Sequence, residues 1–284
     1  MKILNRRTLM GVAAAATSYI VTGLSSRKAA AMDAEHKILL DVSVCFDSAT
    51  MLWVPFRPPG AAEGLRLRHL RRLDDGSLRS AIVNAPAGWD SGGPLRLASR
   101  LQMYITSGEL RLGDRTLKKN AYLNYAADSV MPPFGSKTGA EFVLVCDGPP
   151  AFEAASDDAV ARDALVIENV ATEFETRGRD PSRPRHMGGW TLWEDPASGA
   201  TMSYLKVPPG WDGGAPEYHP CQEEIFCLTG DIAPDDIRIL KPGWFLWNPA
   251  YGVHGFHLHS TQGGTVLEWH DGPWEKIVYV AETH

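Results

Sequence analysis

The stretch that decides the fold is VPPGWDGGAPEYHPCQEEIFCLTGDI, from Val207 to Ile232, because the chain contains a second version of it. It aligns without a gap with APAGWDSGGPLRLASRLQMYITSGEL, from Ala85 to Leu110, at an offset of 122 residues (207 − 85). The identical residues are all Pro, Gly, Trp or Asp: Pro86, Gly88, Trp89, Asp90, Gly92, Pro94 and Gly108 match Pro208, Gly210, Trp211, Asp212, Gly214, Pro216 and Gly230. A repeat of this length is too long for a solenoid unit and indicates two copies of one domain.

The similarity between the copies resumes further along the chain, and each copy has the pattern of short strands. The later matches are Leu117-Lys118 with Leu240-Lys241 and Asp147-Gly148-Pro149 with Asp271-Gly272-Pro273. In the second copy, EEIFCLTGDI and TQGGTVLEWHDG are apolar runs bounded by Gly- or Asp-containing turns. No window beyond residue 31 keeps a helical apolar period. The sequence therefore predicts an all-β sandwich or barrel in each copy, with a boundary near residues 150–165.

The first 31 residues have the layout of an export signal. A basic start with the pair Arg6-Arg7 precedes a weakly hydrophobic run from Gly11 to Leu24, and a small-x-small site follows at Ala29 and Ala31. The paired arginines resemble the twin-arginine class of signals. That resemblance implies recognition by the twin-arginine export machinery and a folded, periplasmic product that often holds a metal or cofactor.

Cleavage after residue 31 would change the charge of the chain. The precursor has 284 residues, with 28 Lys+Arg against 34 Asp+Glu, and the segment removed holds five of the basic residues and no acid. The mature protein would have 253 residues (284 − 31) and a net charge of −11 (28 − 5 − 34). So acidic a balance argues against a nucleic-acid partner. The apolar run is too short to span a bilayer comfortably, so we expect no stable membrane insertion after cleavage.

The second copy contains a candidate metal site. In EYHPCQEEIFCLTG, Glu217 and His219 are followed by Glu223, and GWFLWNPAYGVHG, from Gly243 to Gly255, contributes His254. Imidazole nitrogens and carboxylate oxygens together suit Mn, Fe, Co, Ni or Zn. Export after folding would favour Fe or Mn over Zn or Ni, because the ion would be inserted where copper and zinc are buffered.

These two motifs resemble those of the cupins, whose first motif places histidines and a glutamate ahead of a Gly-containing turn and whose second ends in Pro, Gly and a further His. The tandem layout resembles bacterial bicupins related to the ChrR cupin and to acetylacetone dioxygenase. The resemblance implies an all-β fold of two tandem cupin (RmlC-like jelly-roll) β-barrels. It places a degenerate barrel at residues 35–150 and a metal-binding barrel at residues 165–276.

The sequence departs from the cupin pattern at Glu217, which stands where cupins carry the first histidine of an HxH pair. If Glu217 swings out, His219, Glu223 and His254 form a two-histidine, one-carboxylate set with open positions for oxygen and substrate. If Glu217 stays in, it is a fourth ligand or a catalytic general base. Both alternatives stay open at this point.

The first copy provides an internal comparison for this site. The four aligned positions are all apolar: Leu95 for Glu217, Leu97 for His219, Leu101 for Glu223 and Met131 for His254. Joint replacement of the whole set is expected if the four residues act as one site.

Other candidates carry less weight. We expect Glu224 to point out of the barrel, because neighbouring strand residues alternate sides. His257, His259 and Cys221 could be alternate ligands, and the four cysteines, which form no CxxC pair, are expected to be free thiols. Four aromatic residues could wall a substrate pocket, although core packing is the commoner role: Trp193, Trp247, Tyr251 and Phe256.

The resulting functional hypothesis is an exported, metal-binding bicupin that acts on a small-molecule substrate as a dioxygenase-like oxidoreductase. Two alternatives remain: a hydrolase or isomerase that uses the metal as a Lewis acid, and a non-catalytic ligand-binding or sensor protein. An apolar first barrel could also serve as the interface of a homodimer.

Overall fold

The computed structural model describes residues 38–57, 60–156, 164–177 and 188–281. The predicted signal peptide, residues 1–31, lies outside these ranges, so its assignment stays a prediction. In the described part of the chain, no helix has both the length and the apolar character needed to cross a membrane.

Nearly every element is a β-strand, as predicted. A short 3-10 turn, Ser48–Thr50, follows the first strand. The fourteen strands of the first half are β1 (Val44–Asp47), β2 (Val54–Pro55), β3 (Arg66–Arg72), β4 (Leu78–Ala85), β5 (Trp89–Asp90), β6 (Leu95–Leu97), β7 (Leu101–Leu112), β8 (Arg115–Lys118), β9 (Tyr122–Tyr125), β10 (Val130–Met131), β11 (Phe134–Ser136), β12 (Ala140–Cys146), β13 (Phe152–Ala154) and β14 (Leu165–Ile167). The helix α1 (Val170–Arg177) separates them from β15 (Gly188–Glu194), β16 (Thr201–Val207), β17 (Trp211–Asp212), β18 (Glu217–Tyr218), β19 (Glu223–Gly230), β20 (Trp244–Asn248), β21 (His259–Ser260), β22 (Gly264–His270) and β23 (Ile277–Val278).

The two halves fold into equivalent sheets. In the first half, the neighbouring strands run β9-β7-β12-β4-β3, and in the second half they run β20-β19-β22-β16-β15, all antiparallel. The register agrees residue by residue with the sequence repeat, because Leu95 pairs with Met131 just as Glu217 pairs with His254. The repeat is therefore a structural one.

A close approach between paired strands explains one of the repeated glycines. Gly108 and Gly230 both have a positive φ, 72° and 74°. A Cβ on Gly230 would lie 1.9 Å from the carbonyl oxygen of Gly263, and a Cβ on Gly108 would lie 2.1 Å from that of Gly139. Only glycine fits where the backbone is left-handed and approaches another strand so closely.

Each half lends one strand to the other sheet. β1 pairs with β20 at the edge of the second sheet, and β14 pairs with β9 at the edge of the first. The predicted ranges 35–150 and 165–276 thus exchange their first strands. The division into two domains at those limits stays a prediction.

Apolar residues fill the first barrel and the space between the two sheets. Leu95, Leu97, Leu101 and Met131 all belong to the core of the first barrel. A second cluster, which includes Tyr104, Val143, Phe245 and Trp269, joins strands of both halves. The third cluster, inside the second barrel, is smaller, and polar side chains occupy the rest of that interior.

Glu224 points out of the second barrel, as predicted, into a polar network between the two sheets. Its side chain is only 2% exposed and accepts bonds from Arg71 at 3.0 Å, Arg79 at 3.3 Å and Ser80 at 2.6 Å. Arg79 also donates to Asp147 at 2.8 Å. Because buried carboxylates require such partners, this network fixes the packing of one sheet on the other.

Candidate metal centre

The four side chains predicted for the site lie together inside the second barrel. Glu217 and His254 are held opposite each other by a pair of backbone hydrogen bonds, of 3.0 and 2.9 Å. His219 follows two residues after Glu217, and Glu223 is the first residue of β19. All four are between 1% and 9% exposed, so the fold removes two carboxylates and two imidazoles from water at one place.

The carboxylate of Glu223 is the centre of the group. Its Oε2 lies 3.3 Å from Nε2 of His254, and its Oε1 lies 3.9 Å from Nε2 of His219. Oε1 of Glu217 lies 4.0 Å from the same nitrogen of His219. Asn248 orients the carboxylate of Glu223 by donating to its Oε2 at 2.6 Å. The distances between the carboxylate oxygens and the imidazole nitrogens, 3.3–4.0 Å, are longer than most hydrogen bonds between such groups. Ligand atoms around one metal ion have similar separations.

The two histidines present unprotonated nitrogens to the centre. Nδ1 of His219 lies 2.9 Å from the carbonyl oxygen of Glu275, and Nδ1 of His254 lies 2.9 Å from that of Gly252. A carbonyl oxygen only accepts, so each Nδ1 carries a proton, and in the neutral imidazole Nε2 then carries the lone pair. Both Nε2 atoms are buried without a hydrogen-bond partner. Such a donor set fits a divalent first-row metal ion.

The protonation states agree with this donor set. Burial lowers the pKa of His219 to about 4, although Glu223 opposes the shift, so its imidazole is neutral near pH 7. Burial raises the pKa of Glu223, but the nearby His254 and His270 outweigh that effect and hold it below the usual range. Burial raises the pKa of Glu217, and Lys276, whose ammonium contacts Oε2 of Glu217, opposes the rise.

Further polar residues of this interior lie outside the two sequence motifs. His270 and Glu268 lie on β22, where His270 pairs directly with Glu223 of β19. Nε2 of His270 lies 3.7 Å from Oε1 of Glu223 and 3.5 Å from Oε1 of Glu268. One signal could have found His270: it directly precedes the repeated Asp-Gly-Pro, where the first copy has Cys146.

Trp274 and Lys276, which follow β22, were also missed. The indole of Trp274 packs on His219 with 5.2 Å between ring centroids and lies 6.3 Å from the ring of His270. Lys276 forms an ion pair with Glu217. This segment therefore closes one side of the site and places a cation beside the residue that departs from the cupin pattern.

A cavity of about 300 Å³ opens onto the site. One end is polar, where Glu217, Glu223, His254, Glu268 and Lys276 line it. The walls are apolar and include Leu205, Val207, Trp211, Ile225, Ile232, Leu246, Leu258 and Val266. A volume at the lower end of the range for small-molecule pockets suits a compact substrate. A larger groove, of about 610 Å³, is open to solvent beside Arg100 and Asp147, and no candidate ligand lines it.

The alternate ligands offered by the sequence lie elsewhere. His257 is exposed and binds Asp236 at 2.7 Å, and Nδ1 of His259 is bonded to the backbone oxygen of His257. Cys221 is buried, and burial raises its pKa to about 12, so it is a neutral thiol. All four cysteines are free thiols, as predicted.

Of the two roles considered for the four aromatic residues, the structure does not support the one at the pocket wall, and Trp193 and Trp247 have the commoner role of packing against the core. Trp193, Trp247, Tyr251 and Phe256 are not among the residues that line the cavity. Trp193 and Trp247 instead stack against Arg100 and Arg71 from the first half of the chain. The aromatic residues at the cavity are Trp211 and Trp274.

Comparison with solved structures defines the fold class. A candidate dioxygenase from Nostoc punctiforme is similar with a TM-score of 0.72 and 18% sequence identity, over 84% of this chain and 87% of that one. Salicylate 1,2-dioxygenase from Pseudaminobacter salicylatoxidans is similar with a TM-score of 0.56 and 10% identity, over 82% and 84% of the two chains. A variant of the latter enzyme, solved in complex with gentisate, gives 0.57 and 10%, over 82% of each chain.

These similarities confirm the predicted fold class, an all-β chain of two tandem cupin β-barrels. At such low identity they bear on the fold alone. No protein-family model matches the chain. No curated protein matches it significantly.

Proposed function

We propose that this protein is a metal-dependent dioxygenase that oxidises a small organic molecule inside the second barrel. The observation that carries the proposal is the pair of buried, unpartnered Nε2 atoms of His219 and His254 around the carboxylate of Glu223, next to an apolar cavity. The fold, shared with proteins named as dioxygenases over more than four fifths of the chain, supports the same reaction class.

We assign the ion to His219, Glu223 and His254. These three residues would hold Fe(II) with positions left for other ligands, and the ion would there supply the activation of dioxygen and of a substrate oxygen. Three buried carboxylates, Glu217, Glu223 and Glu268, face one ammonium, that of Lys276. With neutral imidazoles this leaves two negative charges, which a divalent cation would offset. Fe or Mn is favoured on the export argument, and Zn or Ni would also fit these ligands.

Glu217 is the candidate catalytic base. It lines the polar end of the cavity, and its carboxylate is shared with Lys276 rather than turned fully toward the histidines. Burial raises the pKa of Glu217, so the carboxylate is better suited to take up a proton from an acidic substrate hydroxyl or methylene group. Lys276 would then stabilise the anion that forms.

The apolar walls restrict the substrate. A pocket of about 300 Å³ with aliphatic walls and one polar end suits a phenol, a small aromatic acid or a β-diketone. The gentisate complex of the salicylate 1,2-dioxygenase variant makes aromatic hydroxy acids the first compounds to test. The walls would exclude water from the polar end and orient the body of the substrate.

Oxygen uptake by metal-loaded protein tests the proposal. The panel would contain gentisate, salicylate, simple phenols and β-diketones, each with Fe(II) or Mn(II). We expect oxygen consumption with at least one compound, its loss in His254→Ala, and its retention in Met131→Leu, the matched position in the first barrel. Turnover without oxygen consumption would indicate a hydrolase or isomerase. Full metal occupancy without any turnover would indicate a binding or sensor protein.

A further inference from the structure

We infer that a second divalent cation binds beside the first, on Glu223, Glu268 and His270, so that the carboxylate of Glu223 bridges two metal ions. This inference shares Glu223 with the proposed metal centre but does not depend on dioxygenase activity. It assigns a role to the two residues of β22 that the cupin pattern leaves unused.

The donor atoms of the barrel form two groups. In one group, Glu217, His219 and His254 offer atoms that all lie within 4.8 Å of one another. In the other group, Glu223, Glu268 and His270 do the same, and their exposed fractions are 5%, 6% and 1%. Metal–ligand bonds of about 2.0–2.2 Å to nitrogen and oxygen place neighbouring ligand atoms roughly 3–4 Å apart. The second group is thus compact enough to surround its own ion, and the two oxygens of Glu223 also reach the Nε2 atoms of His219 and His254 in the first group.

His270 provides an independent observation. Its Nε2 is completely buried and has no hydrogen-bond partner, although it lies only 3.5 Å from a Glu268 oxygen and 3.7 Å from a Glu223 oxygen. Its Nδ1 is held by the hydroxyl of Thr201 at 2.9 Å. A buried ring nitrogen aimed at two carboxylates, without a bond to either, is destabilising unless a ligand completes it.

The two oxygens of Glu223 point to different imidazoles. Oε2 lies closest to His254, at 3.3 Å, and Oε1 lies closest to His270, at 3.7 Å. A carboxylate in this position can bridge ions about 3.5–4 Å apart, the spacing of two-metal sites. One ion in the first group would leave the Nε2 atom of His270 without a metal ion or a hydrogen bond.

The charge of two neighbouring metal ions restricts the kind of substrate that can bind beside them. Two divalent ions beside three carboxylates and Lys276 leave an excess of positive charge at the polar end of the cavity. An anionic group, either hydroxide or an oxyanion of the substrate, would offset it. This condition agrees with an aromatic hydroxy acid or an enolised diketone better than with a neutral compound.

The first barrel has neither of the two groups of donor atoms. Leu101 pairs with Cys146 in the register in which Glu223 pairs with His270, and Leu144 occupies the position of Glu268. Leu101, Leu144 and Cys146 are all buried and belong to an apolar core. The residues of the second group therefore differ between the copies as one set, just as those of the first group do.

Manganese loading of the full chain tests the inference. The protein would be stripped with a chelator, reloaded with Mn(II) and desalted, and its manganese content and electron paramagnetic resonance spectrum would be measured. We expect about two ions per chain with a spectrum broadened by coupling between them. His270→Gln and Glu268→Gln should lower the content to about one ion with the spectrum of isolated Mn(II). Cys146→Ala, the matched change in the first barrel, should keep both ions.

The outcomes separate this inference from the proposed function. About one ion per chain in the native protein, unchanged in His270→Gln and Glu268→Gln, would overturn the second site and leave the first intact. No stoichiometric manganese in the native protein would overturn both. An ion retained in both glutamine variants would show that the barrel remains folded, so a fall from two ions to one supports the second site.

Discussion

Two adjacent glutamates with opposite orientations provide a sharp test of the fold and the site together. Glu223 faces the interior of the second barrel, and Glu224 faces the other sheet. We compare Glu223→Gln with Glu224→Gln, since each change removes one charge and keeps the volume. The structure predicts that the first variant loses metal and keeps its stability, whereas the second keeps metal and loses stability.

The contacts of Glu224 give the size of the stability loss expected in Glu224→Gln. The carboxylate is 2% exposed, and its loss leaves Arg79, whose side chain is 7% exposed, with Asp147 as its remaining acidic partner among the ion pairs of the described residues. Breaking a buried ion pair on one side costs about 3–5 kcal/mol. At about 2–4 °C per kcal/mol for a protein of this size, Tm should fall by about 6–20 °C.

For Glu223 the expected change in the metal-free protein is less than about 1 kcal/mol, because glutamine keeps the volume and its amide oxygen can still accept the hydrogen bond from Asn248. Calorimetry of both variants with a chelator present measures stability, and isothermal titration with Mn(II) measures metal binding. The reasoning would be refuted if Glu224→Gln lost metal binding while Glu223→Gln kept it, because the register of β19 would then be reversed.

Three further predictions concern the histidines of the site, Lys276 and the paired arginines of the export signal. His219→Ala and His254→Ala should abolish stoichiometric metal binding, as elemental analysis would show, whereas Met131→Ala should keep the metal and lose about 2–5 kcal/mol of stability to a cavity. Lys276→Met should tighten metal binding by about tenfold or more, because it removes a cation next to the ion; unchanged affinity in a titration would separate Lys276 from the site. Arg6→Lys with Arg7→Lys should hold the precursor in the cytoplasm, and fractionation that still found it in the periplasm would contradict twin-arginine export.

The sequence repeat is the reason the candidate ligands Glu217, His219, Glu223 and His254 could be identified. It aligns Glu217 and His254 with Leu95 and Met131, and the structure pairs the members of each set in the same register. The comparison of polar with apolar residues at matched positions therefore compared true structural equivalents. Alternation along β19 also placed Glu224 outside the barrel, because that rule depends only on local strand geometry.

For His270 the repeat carries a single signal, its position directly before the repeated Asp-Gly-Pro. Its place in the site depends on the pairing of β22 with β19, which brings it opposite Glu223, and no local motif marks that contact. The exchange of β1 and β14 between the sheets could not be predicted from the sequence either, because each strand is short and pairs with a strand outside its own sequence neighbourhood. Trp193 and Trp247 pack against the apolar cluster between the sheets, and the sequence alone does not show which surface of the molecule buries an aromatic side chain.

The most direct test of the central claim is the metal content of the protein isolated from its native source. We expect at least about one divalent first-row ion per folded chain, Fe or Mn rather than Zn, and the loss of that ion in His254→Ala. Folded protein that contains no such ion, and that binds none after incubation with Fe(II), Mn(II) or Zn(II), would contradict it. Zinc alone at full occupancy would contradict the assignment of Fe or Mn.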